Sequence, residues 1–167
     1  MFRAVWFIAF VLCISGLAAG QGRKAPAFRS YPVRAENASA KRIDFRNSPG
    51  ASAFQTRLRD ALRGGVNFGG RYVIAAWGCG TGCVSGAVID ARSGRVHFPK
   101  EFNALAVAYS NDEYADPLEY RKNSRMLILR GVPGTASDSD PDGESGTYYY
   151  EWRNEKFRLI RFVKNKD

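Results

Sequence analysis

The sequence has little of what catalysis and cofactor binding require. It contains one histidine among 167 residues, and we find in it no complete catalytic or cofactor-binding signature. His97 is therefore the one imidazole that could act as a proton acceptor or a metal ligand. These absences leave the chain without an assigned reaction, and we predict no catalytic residue from the sequence.

Long apolar runs are also scarce. The run Ala4 to Ile14 follows Arg3 and precedes the small residues of Ser15 to Gly20, which is the layout of a secretory signal peptide. A membrane-spanning helix needs about 20 apolar residues, so this run is too short, and no second run is longer. We expect residues 1–20 to be a cleaved signal peptide. The mature protein is then periplasmic or secreted, with no transmembrane anchor after processing.

Acidic residues are few compared with basic ones. The chain has 25 Lys and Arg against 16 Asp and Glu, a formal net charge of +9. Loss of residues 1–20 removes Arg3 and no acidic residue, so the mature protein stays basic. In an exported protein this balance favours an anionic envelope component or an as yet unidentified protein as partner, and it argues against nucleic acid.

The mature chain divides into a lead-in and one domain. Residues 21–42 are polar, with Pro26 and Pro32 at no regular spacing, and are predicted to form a polar N-terminal arm. Residues 43–167 are long enough to bury one hydrophobic core and are predicted to form a single β-rich domain.

One helix is predicted, from about Ala53 to Arg63. Its apolar residues recur at helical intervals, as at Leu58 and Leu62, and the pair Gly64 and Gly65 ends it. Ser52 and Gln55 have the spacing of a capping box at its start.

The rest of the chain carries β-strand patterns. Three consecutive antiparallel strands are predicted, followed by one buried on both faces and by a final hairpin around residues 153–155; in order these are Arg71–Trp77, Val84–Ala91, Arg95–Phe98, Ser124–Arg130, Thr147–Trp152 and Lys156–Val163. In the last strand the inward pattern changes from Phe157 and Leu159 to Ile160 and Phe162, which indicates a bulge or two-sided packing. The predicted fold class is α+β, mainly β: an antiparallel meander sheet with one N-terminal helix.

The most informative motif is the run Trp77-Gly78-Cys79-Gly80-Thr81-Gly82-Cys83. The third cysteine, Cys13, lies in the signal peptide, so Cys79 and Cys83 are the thiols expected to survive processing. Two nearby cysteines in an oxidising compartment are usually joined, and the interleaved glycines give the backbone the freedom that a four-residue spacing needs. We expect a Cys79–Cys83 disulfide that shapes a binding loop of Trp77, Gly78, Gly80, Thr81 and Gly82.

Other chemistry for these cysteines stays open. Cys79, Cys83 and His97 together would suit copper, and the spacing is similar to that of copper chaperones of the electron-transfer assembly type, although those place a helix after the second cysteine. Thiol–disulfide exchange is another alternative, which needs a thiolate of low pKa. A third is a nucleophilic Cys83 with His97 as base and Asp90 orienting it.

An acidic loop is a candidate calcium site. Asp138, Asp140 and Asp142 alternate before Gly143, as in the first half of an EF-hand loop. Tyr149 stands where the bidentate glutamate is expected, so a true EF-hand is excluded, whereas a shorter calcium loop stays open. The alternative is a solvated acidic turn.

Several of these stretches together resemble a known family. The glycine and cysteine run, the preceding Asn67-Phe68 with Gly70 and Tyr72, and the later Asn123-to-Leu129 and Tyr148-to-Trp152 stretches are similar to a family of small exported, periplasmic bacterial proteins of uncharacterised function. The resemblance covers roughly residues 64 to 163 and implies export and a shared β fold. It implies no reaction and no catalytic residues.

The sequence thus predicts a small exported binding or interaction module with a disulfide-shaped glycine loop. The alternative is a copper-binding or thiol-redox protein that uses Cys79, Cys83 and His97. No cofactor is predicted firmly, and calcium and copper are the two candidates.

Overall fold

The computed structural model of the protein describes residues 24–38, 40, 42–107, 116–134 and 143–165. Its regular elements are one α-helix and eight strands: α1 (Gln55–Arg63), β1 (Tyr72–Gly80), β2 (Cys83–Asp90), β3 (Val96–His97), β4 (Leu105–Ala106), β5 (Leu118–Tyr120), β6 (Met126–Gly131), β7 (Gly146–Arg153) and β8 (Lys156–Lys164). All strand pairs are antiparallel. The predicted α+β, mainly β class is confirmed.

The helix forms where the sequence predicts it, but it starts differently. A 3-10 turn, Ala51–Phe54, leads directly into α1. No side chain caps the start of the 3-10 turn or the start of α1. The turn begins after Gly50, whose φ is 80°, so Ser52 lies inside the turn and not ahead of it. The capping-box prediction is wrong. The predicted end is right: the Gly64 amide donates to the Ala61 carbonyl at 3.0 Å.

The strands divide between two sheets. In the first, β1 pairs with β2, which also pairs with β3 and with β4. The three consecutive antiparallel strands predicted there are confirmed by this pairing. The second sheet is a meander of β5, β6, β7 and β8. Two smaller sheets can cover each other's apolar faces, which a single open meander cannot do.

The main core lies between the two sheets. The first sheet contributes Ile74 and Val88, and the second contributes Leu127, Leu129 and a cluster of aromatic side chains: Tyr150, Trp152 and Phe157. Trp152 is 2% exposed and its ring meets those of Phe157 and Tyr72 edge to face. Burial of this apolar and aromatic surface is what holds the two sheets together.

Each sheet is covered on its outer face as well. Successive β1 residues point to opposite faces, so Val73 packs toward Leu58 and Leu62 of α1 while Ile74 faces the second sheet. On the far side, Phe28 packs against Met126 and Ile128, which confirms that β6 is buried on both faces.

The described part of the predicted N-terminal arm is anchored by hydrogen bonds. The Ser124 hydroxyl lies 2.9 Å from the Phe28 carbonyl oxygen, to which it donates, and the Val33 amide donates to the Asn123 carbonyl at 3.0 Å. The Glu36 amide donates to Gly70. Residues 24–36 thus form a fourth layer, which follows α1, the first sheet and the second sheet and covers the outer face of the second sheet through Phe28.

The β7–β8 hairpin contains a bulge, one of the two alternatives that the inward pattern of its last strand indicated. The register shifts between Tyr149, opposite Arg161, and Tyr150, opposite Leu159, which leaves Ile160 as the extra residue. Ile160 then packs on the outer face with the Phe28 cluster. Leu159, predicted to face inward, is 56% exposed, because the shift occurs directly after it.

Candidate functional site

The candidate site is the end of the β1–β2 hairpin. The strands pair as far as Gly80 and Cys83, so that Thr81 and Gly82 are the turn. The predicted loop from Trp77 onward is therefore mostly strand: Trp77 is paired with Ser85, and Gly78 with Val84. The ladder continues this far because β2 provides a backbone partner for each of these residues.

Cys79 and Cys83 form a disulfide, as predicted, with their Cα atoms 5.1 Å apart. The hairpin register shifts between Gly78 and Gly80, so Cys79 is an extra residue on β1, placed where it can reach back to Cys83. Gly80 and Gly82 have φ values of 145° and 66°, a region that favours glycine. The bridge therefore closes a small, exposed ring at the tip of the hairpin.

Trp77 lies at the base of this tip and is half-buried. Its ring stacks on Phe54 with centroids 4.7 Å apart, and the Arg57 guanidinium lies 5.6 Å from its ring centroid. Phe98, 39% exposed, extends the aromatic group, 5.8 Å from Phe54. Sequence reasoning missed Phe54, Arg57 and Phe98 as neighbours of the motif, because only the packing of α1 on β1 brings them there.

The two sides of the hairpin end differ. On the β2 side, β4 pairs with Cys83 and Val84, and the Val107 amide donates to the Gly82 carbonyl at 2.8 Å. On the β1 side is a groove of about 320 Å³, lined by Ala76, Trp77, Gly78 and Val84 and, opposite them, by Asp116, Pro117, Leu118 and Tyr120. Burial, and after it the Asp116 carboxylate, raises the pKa of the Tyr120 hydroxyl, which stays neutral. Among the described residues, the hairpin is therefore anchored along one edge and has no strand partner along the other.

The structure does not bring the proposed copper ligands together. His97 is opposite Val88, five residues along β2 from Cys83, which is roughly 16 Å at the rise of a strand. Within the described residues no group of three or more His, Cys, Asp or Glu side chains could hold a metal ion. The sulfurs of Cys79 and Cys83 are bonded to each other, so in this state neither is a thiolate ligand or nucleophile.

His97 lies instead at the edge of the main core. Its Nδ1 is 3.8 Å from the Glu155 carboxylate, and its ring is 6.0 Å from that of Trp152. Burial lowers the pKa of His97, against the smaller opposite effect of Glu155. Asp90, the predicted orienting residue, pairs with the Arg71 guanidinium at 3.0 Å and accepts the Arg92 amide at 2.8 Å, which shapes the turn after β2.

The candidate calcium residues Asp138, Asp140 and Asp142 lie outside the described residues. Calcium binding by this loop stays a prediction.

Comparisons with known proteins find no matching family model, no matching curated protein and no matching solved structure. Within the described ranges, no helix is both long and apolar enough to cross a bilayer.

Proposed function

We propose that the chain is an exported binding module whose recognition surface is the disulfide-bridged end of the β1–β2 hairpin. The observation that carries the proposal is a disulfide-bridged, exposed tip that, among the described residues, is anchored on one side only. Cys79, Gly80 and Thr81 are exposed, and the disulfide restrains them. Trp77 and Arg57 border them, and these are two residue types that are enriched at binding hot spots.

The small ring indicates what the disulfide does. A loop this short removes little chain entropy, so by the entropy model it contributes on the order of 2 kcal/mol. The two sheets already share a continuous core that includes no cysteine. The bridge is therefore better suited to hold the shape of a recognition surface than to hold the fold.

A site-specific cross-linking experiment tests the proposal. A photo-reactive residue is placed at Thr81, and in a control variant at the exposed Lys122, whose carbonyl accepts the Gly70 amide at the opposite end of the hairpin from the tip. We expect a discrete cross-linked product in intact cells from Thr81 and not from Lys122, and its loss in a Cys79→Ser, Cys83→Ser variant. If Thr81 gives no product beyond that of Lys122, the proposal is wrong.

The copper or thiol-redox alternative is tested on the same preparation. Intact masses with thiol alkylation, before and after reduction, show whether the cysteines are free, and metal analysis shows whether copper is bound. We expect alkylation only after reduction, without stoichiometric copper. Direct alkylation, or one copper per chain that is lost on His97→Gln, would replace the binding-module proposal with the redox or metal alternative.

A further inference from the structure

We propose that the free edge of β1 at Ala76 to Gly78 takes an added β-strand, supplied as an extended, acidic segment of a partner protein. The inference rests on the proposed binding function and specifies the chemistry of the partner. It makes the backbone of β1, and not the disulfide ring alone, the recognition element.

The hydrogen bonds along β1 show which backbone groups face outward. The Asn67 side chain accepts the Ile74 amide at 2.8 Å and donates to the Ile74 carbonyl at 3.1 Å, so that Asn67 occupies the position of a neighbouring strand. Since an antiparallel strand directs alternate residues to each side, Ala76 and Gly78 present their amide and carbonyl groups on the same side as Ile74. Within the described chain these outward groups have no hydrogen-bond partner outside their own sheet.

Among the sheet edges that the structure describes, this one has the least protection over Ala76 to Gly78. β8 carries cations along its length at Lys156, Arg158, Arg161 and Lys164, and β5 has three residues and follows Pro117. β3 and β4 have two residues each. Charge, proline, short length and β-bulges are the usual devices that prevent edge pairing. In β1 the Asn67 side chain covers the edge at Ile74, and the bulge at Cys79 ends it on the other side. The stretch that remains for pairing is Ala76 to Gly78, which contains no charge and no proline.

The side chains at this edge leave room for another backbone. A Cβ built on Gly78 would meet no atom within 4 Å, and its φ lies outside the left-handed region, so neither packing nor backbone conformation accounts for this glycine. Ala76 is exposed. A glycine inside a strand marks a bulge or a place where another backbone approaches closely, and Gly78 lies both beside the Cys79 bulge and on the outer edge of the sheet. The groove of about 320 Å³ runs along this edge.

The two faces of an added strand would meet different surroundings. One face would meet Asp116, Leu118 and Tyr120 across the groove; Leu118 and Tyr120 favour apolar side chains there, and the Asp116 carboxylate disfavours acidic ones on this face. The other would meet Trp77 and the Arg57 guanidinium. Neither Arg57 nor the neighbouring Arg59 has a carboxylate within ion-pair distance among the described residues, so acidic side chains are favoured on this face. A second copy of the chain would bring two such arginines together and is disfavoured.

The disulfide prepares this edge for pairing. It closes the hairpin directly beyond Gly78, and β4 holds the opposite side, so the edge is already extended before a partner arrives. An edge ordered in advance costs less conformational entropy on binding.

The test uses the oxidised, signal-free chain and a display library of ten-residue peptides. Binders are selected on this protein, and their dissociation constants are measured for Gly78→Pro, which removes the outward amide, and for Gly78→Val, which fills the space above it. Ser30→Val is the control, since it alters an exposed side chain of the N-terminal segment, outside both the hairpin and the groove. Near-ultraviolet circular dichroism establishes that each variant is folded. Single N-methylation along the selected peptides tests backbone pairing without changing the protein.

We expect selected peptides with acidic residues at alternate positions that lose affinity about tenfold or more for both Gly78 variants and bind Ser30→Val unchanged. N-methylation should weaken binding with a period of two residues, and Arg57→Glu should reverse the preference for acidic peptides. The inference is overturned if no peptide is enriched, if binding is insensitive to both Gly78 variants and to N-methylation, or if the chain dimerises and Gly78→Pro releases the monomer.

The peptide-binding experiment and the Thr81 cross-linking experiment can fail independently of each other. If the partner cross-linked at Thr81 binds Gly78→Pro as well as the unmodified chain, the binding module stands and strand addition is wrong. If Thr81 gives no product and the edge still binds peptides, the tip is the wrong surface and the edge the right one.

Discussion

At the scale of single residues, two glycines of the same hairpin have opposite roles. A Cβ on Gly86 would lie 2.8 Å from the Ala75 carbonyl oxygen and 3.2 Å from the Phe102 ring, whereas a Cβ on Gly78 meets nothing. Gly86 leaves room for the backbone of the paired strand and for the Phe102 ring, which packs on the first sheet, whereas Gly78 lies at an edge with space around it. The sequence shows both as glycines in apolar strands and does not distinguish them.

This difference is measurable by mutation. We expect Gly86→Ala to lower the free energy of unfolding by about 1–3 kcal/mol, because the added methyl group is forced against a carbonyl oxygen. Gly78→Ala should change it by less than about 0.5 kcal/mol. Urea denaturation of both variants checks this. If the two substitutions change the free energy of unfolding equally, the close contact between a Cβ at Gly86 and the Ala75 carbonyl oxygen costs no stability.

His97 gives the protein a pH dependence of known sign. Burial holds the pKa of His97 below its ordinary value of 6.5, so the unfolded chain binds this proton more readily than the folded one. The stabilisation is complete above pH 6.5 and is lost as the pH falls through the folded-state pKa. The charged groups facing His97 are Glu155, Asp90 and Arg95, and the net effect of these groups and burial is a lowered pKa.

A variant isolates this effect. We expect the free energy of unfolding of the unmodified chain to fall between pH 7 and about pH 5, with a steeper slope than that of His97→Gln. Glu101, whose pKa burial raises, contributes with the opposite sign in both proteins and cancels in the comparison. Parallel curves for the two proteins would contradict the direction given for His97.

At the scale of elements, the β7–β8 hairpin contains a strained turn. Asn154 and Glu155 both have positive φ, 52° and 58°, as a two-residue turn of type I′ requires. Asparagine tolerates this conformation, whereas glutamate does not favour it. The position of the turn is predictable from the sequence, but its strain at Glu155 is visible only in the backbone.

Glycine at the second position should relieve that strain. We expect Glu155→Gly to raise the free energy of unfolding by about 0.5–1 kcal/mol. Asn154→Gly is the matched control and should have little or no stabilising effect. The measurement is made at pH 8, where His97 is neutral, so that loss of its contact with Glu155 does not contribute. A destabilised Glu155→Gly variant would mean that this contact outweighs the strain.

At the scale of the whole molecule, four layers share the apolar surface: α1, the first sheet, the second sheet and the N-terminal segment. The last of these is the least expected from composition, because residues 21–42 are polar and contain few apolar side chains. Phe28 is nevertheless 9% exposed, packs on Met126 and Ile128, and has the Arg121 guanidinium 4.4 Å from its ring centroid. The Phe28 side chain therefore holds the N-terminal segment against the outer face of β6.

Truncation of that aromatic side chain should weaken the whole domain. We expect Phe28→Ala to lower the free energy of unfolding by about 2–4 kcal/mol, because it uncovers one face of the second sheet. Ser30→Ala, an exposed position in the same segment, should have little effect. Thermal and urea unfolding check both. If Phe28→Ala is as stable as Ser30→Ala, the segment is an attached arm and not a layer of the fold.

The local elements could be predicted from the sequence alone: the helix ending at Gly64, the β1–β2 and β7–β8 hairpins, and the Cys79–Cys83 pairing. Each depends on residues close together in the chain, where periodicity, turn residues and short spacing act directly. At Ile160 the pattern indicated a bulge or two-sided packing, and the register shows the bulge. The tertiary structure decided the rest. It divided the strands between two sheets, placed His97 away from the cysteines, brought Phe54 and Arg57 beside Trp77, and left one edge of β1 open. These features depend on which distant apolar faces bury one another, and a local pattern does not specify its distant partner.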